Sequence, residues 1–233
     1  MINEMLDLYL EPTKEDIYHR YNSWHHCRGY FATHHKRLQE ESIQEVAALQ
    51  LGFYLAGCEV RSNSGLFHKD YKIHLKFIST VANKADYEAF HSGQLPKEDQ
   101  VGLLIDLINE TQECYGEFGV SDMLVTKILL GVFGIIPAYD DYFKNGLKLH
   151  SMESTLTEES LKELILFYKA YEVEFNPYLD SGYTPMKLVD MYFRQVTKYN
   201  KHASKIIQSG LESSDCENSK MPNNQTMEKE VRV

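Results

Sequence analysis

Cysteine is scarce and follows no pattern. Cys27, Cys58, Cys114 and Cys216 form no CxxC pair and no even spacing, which argues against a disulfide framework and for reduced thiols in a cytoplasm. Long apolar runs are missing too. The longest, Ile128 to Ala138, falls well short of the roughly 20 residues that a membrane-spanning helix needs. The opening Met-Ile-Asn-Glu-Met-Leu-Asp is acidic where a secretion signal is basic. Positive charge is in deficit: 24 Lys and Arg against 34 Asp and Glu leave a formal charge of −10, so the surface as a whole does not attract phosphate. Period-two alternation is rare, and no Asn-Gly or Asp-Gly separates two alternating runs, which excludes hairpin-built folds. No internal repeat points to a solenoid.

What remains is a globular composition. The chain has 233 residues, 43% hydrophobic and 25% charged, enough to bury a core without staples. Its hydrophobic period is close to 3.6. Ile43, Val46, Ala47, Leu51, Tyr54, Leu55 and Cys58 lie on one stripe, and Ser42 with Glu45 has the spacing of a capping box. Leu161, Leu164, Ile165, Tyr168 and Phe175 form another stripe, opened by Thr155 and Glu158. Thr184 and Pro185 introduce a third, through Leu188, Met191, Tyr192 and Val196. Thr13 with Asp16 predicts a helix running to about Arg37, and further helices are expected over 69–81, 97–115, 122–133 and 138–144. Asn145-Gly146 reads as a helix stop. The expectation is an all-α protein, a single domain of about seven to eight helices over residues 1–211. The Ser-, Asn- and Glu-rich residues 212–233 lack an apolar stripe and are expected to form a disordered tail.

Five of the ten histidines, His19, His25, His26, His34 and His35, crowd one region. Asp16–His19 and Glu88–His91 have the i, i+3 spacing of carboxylate-bridged metal helices, but acid-x-x-His pairs at this number arise by chance. No HxxxH or HExxH occurs, so neither a metal nor another cofactor is expected. Trp24, the one tryptophan, shares a helical face with Phe31 as a core anchor, and at most one of His25 and His26 can lie on that face.

The richest anion-binding chemistry follows the Ile43–Cys58 stripe. There Arg61-Ser62-Asn63-Ser64-Gly65 offers side-chain and backbone donors in a short loop, suited either to an anion or to capping the preceding helix. Lys69, Lys72 and Lys76, and likewise Arg194, Lys198, Lys201 and Lys205, form basic stripes that are either solvated faces or tracks for a nucleic-acid backbone. Within residues 116–150, Ser121 starts an apolar helix containing Lys127, Gly134 stops it, and Pro137 opens a second helix with Asp140 and Asp141 in its first turn.

That last layout resembles the core of the helix-hairpin-helix DNA glycosylases, in which a Gly-rich hairpin leads to an apolar helix and a Pro-containing turn precedes an Asp. The resemblance implies that Asp140 stabilises a developing sugar cation or positions a nucleophile. Only Gly119 represents the family's Gly-x-Gly, and Asp122 stands where bifunctional members carry a nucleophilic Lys. Over most of residues 20–150 the chain also resembles a group of uncharacterised bacterial all-helical proteins. The shared features are Trp24-His25-His26-Cys27, Phe53-Tyr54-Leu55-Ala56 with Arg61-Ser62, and Thr126-Lys127-Ile128 through Asp140. This second likeness implies the fold and no mechanism.

The functional expectation is a cytoplasmic protein binding an anionic ligand or nucleic acid. Its site would join the Arg61 loop, the first-helix histidines and the Tyr139–Asp140 turn, with Arg61, Ser62, Ser64, His26, Lys127 and Tyr139 as contacts. The alternatives are a glycosylase-like enzyme using Asp140, and a protein–protein interaction module drawing contact area from the 16 tyrosines. No membrane partner is expected.

Overall fold

A computed structural model describes residues 1–58 and 69–218, with side chains of the last helix to residue 204. The described residues contain no strand and ten α-helices, more than the seven to eight expected: α1 (Ile2–Glu15), α2 (Ser23–His34), α3 (Glu41–Gly57), α4 (Leu75–Ala82), α5 (Val101–Cys114), α6 (Asp122–Val132), α7 (Asp141–Leu149), α8 (Glu158–Ala170), α9 (Glu172–Leu179) and α10 (Pro185–Asn218). Short 3₁₀ turns link several of them. None of these helices is long and apolar enough to cross a membrane.

The chain divides into a unit of residues 1–197 and a second unit from Lys198 onward. The first carries one continuous apolar core. In the second, α10 continues past Gly210 to Asn218, and Ser204 Oγ donates to the Asn200 carbonyl at 2.9 Å. Residues 219–233, most of the tail expected to be disordered, lie outside the described residues.

The largest departure is at the start. No helix begins at Thr13: the Thr13 hydroxyl donates back to the Leu10 carbonyl at 2.7 Å, inside the last turn of α1. Ile2, Met5, Leu6, Tyr9 and Leu10 have the spacing of an amphipathic helix, and their burial holds α1 in place. Asp16 instead accepts the Tyr18 N–H at 2.8 Å and turns the chain towards α2. Smaller shifts follow the same logic. Glu40, gripped by Arg37 through two 2.7 Å bonds, precedes α3, so Ser42 lies inside its first turn. Thr157 caps α8 in place of Thr155, its hydroxyl accepting the Ser160 N–H at 3.2 Å.

Asn145-Gly146 stops nothing, because both residues lie within α7. Gly146 is there because α10 crosses against it: a Cβ would overlap the Phe193 carbonyl. Gly134 does end α6, with φ +70° and its N–H on the Leu129 carbonyl at 3.2 Å. Trp24 and Phe31 are buried as anchors, and the indole N–H of Trp24 donates to the Leu130 carbonyl at 2.9 Å.

Candidate functional site

The segment between α6 and α7 positions the site. Pro137 does not open a helix. Ile135 to Tyr139 run without regular structure through the core, almost wholly buried, and α7 starts only at Asp141. A buried irregular backbone must find its hydrogen bonds among side chains. The Ala138 N–H donates to Asp190 Oδ1 at 3.2 Å, and the Tyr139 N–H donates to Thr126 Oγ1 at 2.9 Å. The Tyr139 hydroxyl meets Ser160 Oγ at 2.7 Å. These long-range partners bring polar groups of α6 and α10 into the interior.

Asp140 follows directly and is 7% exposed. Its Oδ1 accepts the Phe143 N–H at 3.1 Å and so caps α7, while its Oδ2 pairs with Arg194 Nη1 and lies 3.7 Å from Lys127 Nζ. Burial works to raise the Asp140 carboxyl, but Arg194, the Phe143 N–H and Lys127 together hold it below its ordinary value. Lys127 is 4% exposed in the middle of a largely apolar helix, and its ammonium also donates to the Cys58 carbonyl at 3.2 Å. Beneath this group Lys187 Nζ donates to Asp190 Oδ2 at 2.9 Å and sits over the rings of Tyr9 and Trp24, 5.7 and 5.8 Å from their centroids. Burial pulls the Lys187 ammonium down, yet Asp190 and Tyr9 outweigh it and the net direction is up.

Of the residues expected at the site, the structure brings Lys127 and Asp140 into one cluster. Tyr139 is next to them in the chain, but its hydroxyl points to Ser160. His26 is exposed on α2. It is two residues from Trp24, or about 200° round the helix, so it turns away from the face over which Lys187 sits. Arg61, Ser62 and Ser64 lie outside the described residues. The chain enters that stretch one residue after Cys58, whose carbonyl Lys127 holds.

Arg194 does not belong to a solvated stripe with Lys198, Lys201 and Lys205, because its guanidinium turns inward to Asp140. Lys187 and Asp190 were not singled out from the sequence, and Arg194 only as part of a basic stripe. Their signal is an i, i+3, i+7 row of charges on the same helix as buried Leu188, Met191 and Tyr192. Among the described residues, no three of His, Cys, Asp and Glu converge as metal ligands could. Asp16 is used on Tyr18, and Glu88 pairs with His35 at 3.2 Å.

Comparison with models of known families, with curated proteins and with solved structures finds no match to this chain.

Proposed function

We propose that the protein binds an anionic ligand, a phosphate group of a small molecule or of nucleic acid, over the Lys127–Asp140–Arg194 cluster. Arg61, Ser62 and Ser64 of the adjoining segment would add their donors. The observation that carries this reading is a charge imbalance in the interior: among the described residues, Lys127, Lys187 and Arg194 face only the carboxylates of Asp140 and Asp190. A surplus buried cation is costly unless an anion balances it. Arg194 retains some exposure, and in this reading the ligand reaches the cluster from that side. Reduced thiols, with Cys27 fully buried, suit a cytoplasmic setting.

The test is Arg61→Lys in the full chain, read by calorimetric titration with inorganic phosphate and with a short single-stranded oligonucleotide. A guanidinium contact predicts weaker binding, because a point charge does not reproduce the planar fork. Unchanged binding with a loss of stability under about 1 kcal/mol would assign Arg61 to capping α3 instead.

The enzyme reading has one observation in its favour, the ammonium of Lys127 at 3.7 Å from the Asp140 carboxylate. In that reading Asp140→Asn abolishes base release from damaged DNA and leaves DNA binding intact. Against it, both Asp140 oxygens are occupied inside the fold.

A further inference from the structure

A second feature of the fold lies on the other side of Trp24. A pocket of about 470 Å³, within the size range of small-molecule sites, opens between α2 and the segment leading into α10. Trp24, His25 and Tyr183 form its aromatic wall, and Arg28 also lines it. Among the described residues, no Asp, Glu or Lys does. Arg28 is 6% exposed. Its Nη2 donates to the His91 carbonyl at 2.5 Å and its Nη1 to the Val132 carbonyl at 3.4 Å, while Nε has no partner. No carboxylate faces it among the described residues, and burial pulls the guanidinium down to about 10. A guanidinium has five N–H donors, so most of this group's hydrogen-bonding capacity is unused in a dry place.

The pocket also ends at Thr184 and Pro185, where the longest helix of the molecule begins. The N-terminus of α10 carries a partial positive charge, although Pro185 has no N–H and the Lys187 N–H donates to Thr184 Oγ1 at 3.4 Å, so it supplies field more than free donors. Lys187, one turn into α10, adds to the field: burial, then Lys187, then His26 push the His25 imidazole below its ordinary value. Gly93, with φ +70°, packs between Arg28 and Thr184: a Cβ there would come within 2.7 Å of both Arg28 Nη2 and the Thr184 methyl, so glycine is required at this contact beside the guanidinium. A buried cation short of partners, a helix N-terminus and an acid-free lining converge on one space with apolar walls.

We propose that this pocket is a second binding site, for a small organic anion whose carboxylate or phosphate meets Arg28 in the field of the α10 N-terminus and whose apolar body lies against Tyr183 and His25. It goes beyond the cluster around Asp140 and does not depend on it.

Trp24 is the one tryptophan in the chain, so intrinsic fluorescence reads this pocket directly. The full-length protein is titrated with benzoate, phenyl phosphate, inorganic phosphate and neutral benzamide at one fixed salt concentration. A saturable change in Trp24 emission is expected with benzoate or phenyl phosphate, whichever head group the site prefers, and none with benzamide. Arg28→Lys is expected to weaken the response at least about tenfold, because the ammonium loses the fork. Circular dichroism checks that this variant folds. Gln94→Glu, at an exposed rim position, keeps the test decisive if it does not. That added negative charge is expected to weaken binding by about fivefold, equivalent to a rim-charge term near 1 kcal/mol. Arg61→Lys is expected to leave the Trp24 response unchanged, which separates this site from the cluster around Asp140. Equal responses to benzamide and benzoate, no response to any anion, or a Gln94→Glu variant that binds as the parent does would each overturn the proposal.

Discussion

Asp140 and Arg194 should be strongly coupled, and a double-mutant cycle measures how strongly. Asp140→Asn keeps the side-chain oxygen that accepts the Phe143 N–H, so the cap on α7 survives and the variant isolates the charge. It leaves Arg194 and Lys127 facing no anion at this spot. Arg194→Met leaves Asp140 with Lys127 at 3.7 Å as its remaining cation. Removing one partner of a fully buried pair costs about 3–5 kcal/mol. Arg194 is partly exposed and Lys127 offers Asp140 a second partner, so about 2–3 kcal/mol is expected for each single change and a coupling of about 1–2 kcal/mol between them.

The assay is urea unfolding at neutral pH, followed by Trp24 emission and far-ultraviolet dichroism, on the parent, both single variants and the double variant. The pH dependence has a definite sign. The folded Asp140 carboxyl lies below its unfolded value. Its contribution is therefore complete above the ordinary Asp range and is lost as pH falls through the depressed value. A coupling within about 0.5 kcal/mol of zero at neutral pH would refute the reasoning, since a screened surface pair behaves in that way. An Asp140→Asn variant of parental stability that had lost a DNA-directed activity would favour the enzyme reading instead.

Two further outcomes follow from the fold. His74 and His91 are buried and held neutral, pushed down to about 4 and about 3 chiefly by burial. Their folded values lie below the unfolded one, so the stability they contribute is full above about pH 6.5 and falls away as acid protonates the unfolded chain first. Unfolding free energies measured between pH 7 and pH 4.5 should drop by several kcal/mol on the order of 1.4 per unit per group, and His91→Gln should flatten that slope. Gly146→Ala should destabilise by about 1–3 kcal/mol in the same urea assay, because its methyl meets backbone of α10 that has little room to yield. A neutral effect there would mean that α7 and α10 do not cross so closely.

Much of the helical architecture was legible because it rests on local patterns. The stripe from Ile43 to Cys58, the Thr184-Pro185 start of α10 and the stop at Gly134 all need only neighbours within a turn or two. The start of the chain went unread because the Thr13–Asp16 spacing resembles a cap, although the Ile2–Leu10 stripe was present and decides the matter by burial. The break between α8 and α9 at Tyr171 gives no comparable signal. The site was half legible. Lys127 and Asp140 stand out as polar residues amid apolar ones, but the path of 135–140 depends on Thr126 and Asp190, which hold its N–H groups from 13 and 52 residues away. No local rule anticipates such partners. Arg194 was misplaced for a related reason: helical spacing groups it equally well with Lys198 or with Asp190, and only the position of Asp140 decides.

Whether the cluster of Lys127, Lys187 and Arg194 receives an anion is tested most directly by calorimetry on the full-length protein at low salt, with inorganic phosphate and a short single-stranded oligonucleotide as titrants. The charge imbalance around Asp140 and Asp190 predicts saturable binding of at least one of them, weakened by added salt and weakened again in Lys127→Met. The absence of saturable heat with either titrant up to millimolar concentrations, from a protein that dichroism shows to be folded, would contradict it.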